Sequence, residues 1–66
     1  MIVTVNGEDR TLAEGATVRA LVTELELPDE GVAIAVDGMV VPGSSWDDTP
    51  LGVGAEVDVL TAVQGG

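Results

Sequence analysis

The stretch Val32-Ala33-Ile34-Ala35-Val36-Asp37-Gly38 decides the fold of this chain. Five consecutive apolar residues match the length of one strand and fall short of a helix, so the run predicts a central strand covered on one face by a helix. Asp37-Gly38 then turns the chain. Downstream, Met39 to Val41 form a short partner strand closed by Pro42-Gly43, and a loop from Ser44 to Leu51 carries Trp46 and Asp47-Asp48-Thr49. The final strand runs from Glu56 to about Ala62. Its alternation sets Val57, Val59 and Thr61 on one face and Asp58, Leu60 and Ala62 on the other. Val63-Gln64-Gly65-Gly66 follow with no turn left to make.

Upstream, Thr17 is placed to cap a helix in which Val18, Leu21, Val22 and Leu25 repeat at helical spacing while Arg19, Thr23 and Glu24 face away. Pro28 and Gly31 mark its end, and Leu27 is placed to fold back on the core. Before the helix, Met1 to Val5 read as a strand, and Asn6-Gly7 is the dipeptide best suited to positive φ in a tight hairpin. A second short strand is expected near Arg10 to Leu12. The order strand, strand, helix, strand, short strand, strand describes an α+β chain in which one helix crosses one mixed sheet of about five strands. Residues 1–66 are expected to make a single domain with a flexible tail at 63–66.

Composition narrows the function. Apolar residues make up 45% of the chain, enough to drive folding of so short a domain. Phe and Tyr are absent and Trp46 is the only aromatic, so branched aliphatics must fill the core. Twelve acidic residues against two basic ones, Arg10 and Arg19, give a net charge of −10, which repels a phosphate backbone and argues against nucleic-acid binding. The same field favours basic surfaces on a protein partner, and it also keeps a small apolar domain soluble. Cys and His are both absent, which removes disulfides, thiolate nucleophiles, the commonest zinc ligands and the usual neutral-pH acid-base group. An enzyme is therefore not expected. No apolar run approaches the roughly 20 residues that span a bilayer, and no signal peptide is visible, so a cytoplasmic location without membrane contact is expected.

Few residues are left to carry chemistry. Asp47-Asp48 and the pair Glu56 and Asp58 could bind a hard cation through oxygen, but neither sits in a recognisable calcium loop, and both read more simply as turn formers or a solvated strand face. Trp46 is expected to cover one end of the core, with partner contact as the alternative. Leu60 faces away from the helix, which suggests a docking patch, together with Met39 or Val41, or an ordinary scattered surface leucine. Gly65-Gly66 ends the chain with two residues that lack Cβ and can lie extended in a narrow channel. A frayed end is the bland reading of the same residues.

The whole chain, from Met1 to Gly66, resembles the thiamine-biosynthesis sulfur carriers called ThiS, members of the ubiquitin-like β-grasp group. The resemblance rests on Ile2-Val3-Thr4-Val5-Asn6-Gly7, on Thr17-Val18 leading into Leu21 and Leu25, and on Val32-Ala33-Ile34-Ala35-Val36-Asp37-Gly38. It continues through Val40-Val41-Pro42 with Ser44 and Trp46, and ends in Ala62-Val63-Gln64-Gly65-Gly66. The chain departs from the family's habits at Met39, at Gly43 and at Gly52-Val53-Gly54-Ala55-Glu56, all outside the tail.

The resemblance implies that a ThiF-like, ATP-dependent enzyme adenylates the Gly66 carboxylate. A persulfide donor then supplies the sulfur that makes a thiocarboxylate, and a ThiG-like thiazole synthase accepts it. Gly65 and Gln64 would thread the partner's channel, and no cofactor or metal is implied. Four residues beyond the sheet reach roughly 13 Å when extended, enough to enter a partner's site while the body stays outside. Two rivals share the terminal Gly-Gly: a carrier similar to the small subunit of molybdopterin synthase, and a ubiquitin-like modifier conjugated through Gly66. The chain contains no Lys, so as a modifier it could not build lysine-linked chains of itself.

Overall fold

The computed structural model describes residues 1–61, so the expectations for Gln64, Gly65 and Gly66, for a tail at 63–66, and for Ala62 in the last strand lie outside the described residues. Among the described residues there are five strands: β1 (Ile2–Val5), β2 (Glu8–Thr11), β3 (Val32–Val36), β4 (Met39–Val41) and β5 (Glu56–Thr61). One helix, α1 (Val18–Glu24), packs on the sheet, and a 3₁₀ segment spans Gly43–Asp48. The strand order is β2-β1-β5-β3-β4, with β1 and β5 parallel and the other neighbours antiparallel. The apolar run at 32–36 is thus an interior strand, as its composition requires, but the central position belongs to β5. β5 takes the centre because β1 pairs with it in parallel on one side and β3 on the other, while Ala33 and Ala35 of β3 continue the apolar run on the opposite face, where Ala33 is exposed.

Both hairpins are closed by two-residue turns with positive φ at each position, Asn6 51° and Gly7 85°, Asp37 50° and Gly38 86°. The first turn is so tight that pairing starts at once, Val5 against Glu8. The second strand therefore begins two residues before the expected Arg10, and Leu12 lies beyond it as a buried residue of the core.

Thr17 caps α1 with extended backbone, its hydroxyl accepting the Ala20 N–H at 3.2 Å. Val18, Leu21 and Val22 are buried against the sheet, while Thr23 and Glu24 face solvent. The helix stops earlier than Pro28 and Gly31 suggest. Glu26 takes the left-handed conformation at φ 57°, its N–H donates to Thr23 O at 3.1 Å, and the Leu27 N–H reaches back to Val22 O at 3.0 Å. These two bonds form a Schellman motif with glutamate where glycine is usual, and they fold Leu27 onto the core.

The core consists of the helix residues with Val3, Val5, Ile34, Val57, Leu12, Leu51 and Ala55. Trp46 closes one end of it, 2% exposed, and donates its indole N–H to Val41 O at 2.9 Å. Arg19 lies over the indole ring at 5.2 Å and bonds Asp47 at 2.9 Å and Asp29 at 3.0 Å. Those carboxylates, Asp47 first, hold its guanidinium above its ordinary pKa. Trp46 therefore serves the core rather than an open surface. No helix among the described residues is long and apolar enough to cross a membrane.

Candidate functional site

Alternation in the strands divides the sheet into two faces. The helix covers one. The other carries Ile2 and Thr4 of β1, Asp9 and Thr11 of β2, Glu56, Asp58 and Leu60 of β5, Ala33 and Ala35 of β3, and Val40 of β4, as the pairing registers require. No other element among the described residues covers this face.

The open face has two ends. At one, Asp9 and Glu56 flank Thr4, with Asp58 next along β5. At the other, Leu60 stands opposite Ala33 on β3, while Val40 lies across Ala35 from Asp58, one row nearer the acidic end. Leu60 is 69% exposed and Val40 71%, with the small alanines forming a low floor between them. A shallow cleft lined by Gly31, Ala33, Leu60 and Thr61 continues this apolar end to the last described residue of β5. The apolar end is therefore the end from which the chain continues into residues 62–66.

This placement corrects the grouping of Leu60 with Met39 or Val41. The two-residue turn at Asp37-Gly38 sets Met39 against Val36 and Val41 against Ile34, which puts both on the helix-covered face. Val41 is half-buried against the core and anchors the Trp46 indole. Met39, at the start of the edge strand β4, is nonetheless exposed. The β4 residue on the same face as Leu60 is Val40, which the sequence reading missed. The signal was present, because a two-residue turn after Val36 fixes the whole β3–β4 register.

The carboxylate pairs do not converge on a cation. Asp47 is engaged with Arg19, and Asp37 rather than Asp58 bonds near Glu56, accepting the Glu56 N–H at 2.9 Å. No group of three or more His, Cys, Asp or Glu among the described residues could hold a metal ion.

A five-stranded mixed sheet with one helix packed on one face is the architecture of a ubiquitin-like β-grasp domain. The ThiS family model matches residues 3–66, and the chain belongs to that family of sulfur carriers in thiamine biosynthesis. A crystal structure of a thiamine biosynthesis protein, ThiS, from Geobacter metallireducens superposes with a TM-score of 0.84 at 32% identity, with the whole of both chains covered. The solution NMR structure of a thiamine biosynthesis protein from the same organism gives 0.82 at 32% identity, covering all of this chain and 88% of that one. No curated protein matches the chain.

Proposed function

We propose that the working group of this carrier is the Gly66 carboxylate and that the domain presents it to other proteins' active sites rather than catalysing anything itself. The observation that carries the reading is the family match, which runs through residue 66 and so includes Gly65-Gly66. A chain without Cys has no thiol to carry sulfur as a persulfide, which fits a carrier that holds it on an acyl group.

A terminal carboxylate has a reference pKa of about 3.3 to 3.7, so at neutral pH it is ionised and a poor electrophile. In ATP-dependent adenylation a carboxylate oxygen attacks the α-phosphate of ATP and pyrophosphate leaves, so that the acyl carbon now carries AMP as a good leaving group. The outer sulfur of a persulfide then attacks the acyl carbon as AMP departs. A thiol cuts the remaining S–S bond and is oxidised to a disulfide, which leaves the thiocarboxylate. That group passes sulfur to a thiazole synthase. The activating enzyme supplies the catalytic groups, while Gln64 and Gly65 thread its channel.

The apolar end of the open face, Leu60 with Val40, docks the activating enzyme beside the tail. Its neighbours Asp58 and Glu56 call for basic groups around an apolar centre on the partner, and the net charge of −10 favours the same complement. A second copy of this chain, equally acidic, would be repelled.

Intact-protein mass spectrometry of the chain isolated from thiamine-starved cells tests the reading. A carboxylate converted to thiocarboxylate appears as an oxygen-to-sulfur mass change on the free chain. Adducts to target proteins would instead mark a modifier.

A further inference from the structure

Strand β5 is gripped by the two hairpin turns, one on each side, and the two grips differ in their first residue. Turn geometry alone accepts Asn, Asp or Gly at a position with φ near 50°. The hydrogen bonds explain the choice at each turn. At Glu56 the Asp37 backbone N–H donates to the carbonyl at 2.7 Å, and the Glu56 N–H donates to the Asp37 carboxylate at 2.9 Å. The turn's backbone supplies the donor there, so the side chain has only to accept, and aspartate suffices.

At Val59 the side chain has to do both. The Asn6 backbone N–H is already taken by Val57 O at 2.9 Å. The Asn6 carboxamide accepts the Val59 N–H at 2.8 Å and donates its own N–H to Val59 O at 3.2 Å. A carboxamide is a peptide group in miniature, so Asn6 adds one rung to the parallel β1–β5 ladder after β1 has turned away into β2. An ionised aspartate could only accept, and glycine could do neither.

The rung lies where position matters. The regular β1 partners of β5 end at Val57, whereas β3 continues to pair with Leu60 and Thr61. Without Asn6 the last residues of β5 would be held from the β3 side only. We propose that Asn6 is a positioning residue: its carboxamide fixes the direction in which β5 hands the chain on to residues 62–66, and so aims the terminal carboxylate at the activating enzyme. This inference rests on the carrier reading above.

Two variants test it. Asn6→Gly keeps the turn and removes both bonds, while Asn6→Asp keeps the acceptor only. In the free chain, Asn6→Gly is expected to speed amide exchange at Val59 by at least about tenfold, with Ile34 unchanged, because only local opening is made easier. Asn6→Asp should leave exchange at Val59 near the wild-type rate, since its acceptor survives. In steady-state adenylation by the cognate activating enzyme with ATP, Asn6→Gly should lower kcat by about threefold or more while KM for the carrier stays within about twofold, because docking is intact and only the aim is lost. Asn6→Asp should fall between glycine and wild type in kcat. Unchanged Val59 exchange in Asn6→Gly, or faster exchange with wild-type kcat, would overturn the assignment. Should Asn6→Gly fail to fold, Asn6→Asp with wild-type kcat would overturn it equally. A wild-type chain that is not adenylated at all would sink the carrier reading instead, and the exchange rates would then decide the Asn6 rung alone.

Discussion

The two faces of the sheet are made from alternate residues of the same strands, yet they carry different information. On the helix face, Val3, Ile34 and Val57 are at most 1% exposed and meet Val18, Leu21 and Val22 in an aliphatic core. On the open face, Leu60 and Val40 are about seven-tenths exposed, beside carboxylates that no core would accept unpaired. One face specifies the fold and the other, uncovered among the described residues, is the one proposed for recognition. The period of two along a strand lets a chain this short hold both sets of residues. If the division is sound, a substitution should damage stability or recognition according to its face.

The largest effect is expected on the helix face. Val22 is 1% exposed, and Val22→Asp would place a carboxylate among aliphatic groups with no partner, at a cost of roughly 3 kcal/mol or more. A domain of this size has a total stability of only about 3–10 kcal/mol, so the variant should be largely unfolded at room temperature by circular dichroism. A melting temperature equal to wild type would show that this helix face does not build the core.

Leu60→Arg should do the opposite. Melting is expected to stay within a few degrees of wild type, while calorimetric titration with the activating enzyme loses at least about 1 kcal/mol of affinity, the scale of an interface anchor. Val53→Arg is the matched control, since Val53 is 77% exposed but lies in the loop before β5, away from the apolar end. It should bind as wild type. Equal affinity for Leu60→Arg would remove the open face from recognition, and a large loss of stability would move Leu60 to the core.

The smallest effect sharpens the comparison from outside both faces. Glu26 holds the left-handed position of the helix terminus, where its Cβ is strained. Glu26→Gly should gain about 0.5–1 kcal/mol, seen as a rise in melting temperature of about 2–8 °C, with binding unchanged. A fall in melting temperature would mean that the glutamate side chain contributes more than its conformation costs.

Much of this was legible in the residues, and most of the misses share one cause. Local signals carried well: Thr17 as cap, the spacing of Val18, Leu21 and Val22, the Asn-Gly and Asp-Gly turns, and the outward face of Leu60 all describe the structure. Most of what failed depended on pairing between segments. The central place of β5 follows from its parallel pairing with β1, more than 50 residues away in sequence, which no local pattern encodes. Grouping Val41 with Leu60 failed because face membership across strands needs the register, not proximity to the chain's end. Glu26 escaped notice because the helix terminus is set by bonds to Thr23 and Val22, while the sequence offered Pro28 and Gly31 as stronger stop signals. The Asn6 rung was invisible for the same reason as β5, since its partner Val59 lies 53 residues on.

The central claim is that folding and function separate at the end of β5, with the body supplying docking and Gly66 supplying the reacting carboxylate. Deleting Gly66 tests it most directly, measured by ATP–pyrophosphate exchange with the cognate activating enzyme alongside thermal melting. The account predicts that the shortened chain melts as wild type and still binds the enzyme through the open face, yet supports no exchange, because its new terminal carboxylate stops one residue short, roughly 3 Å, of the reacting position. Wild-type exchange by the shortened chain would contradict it.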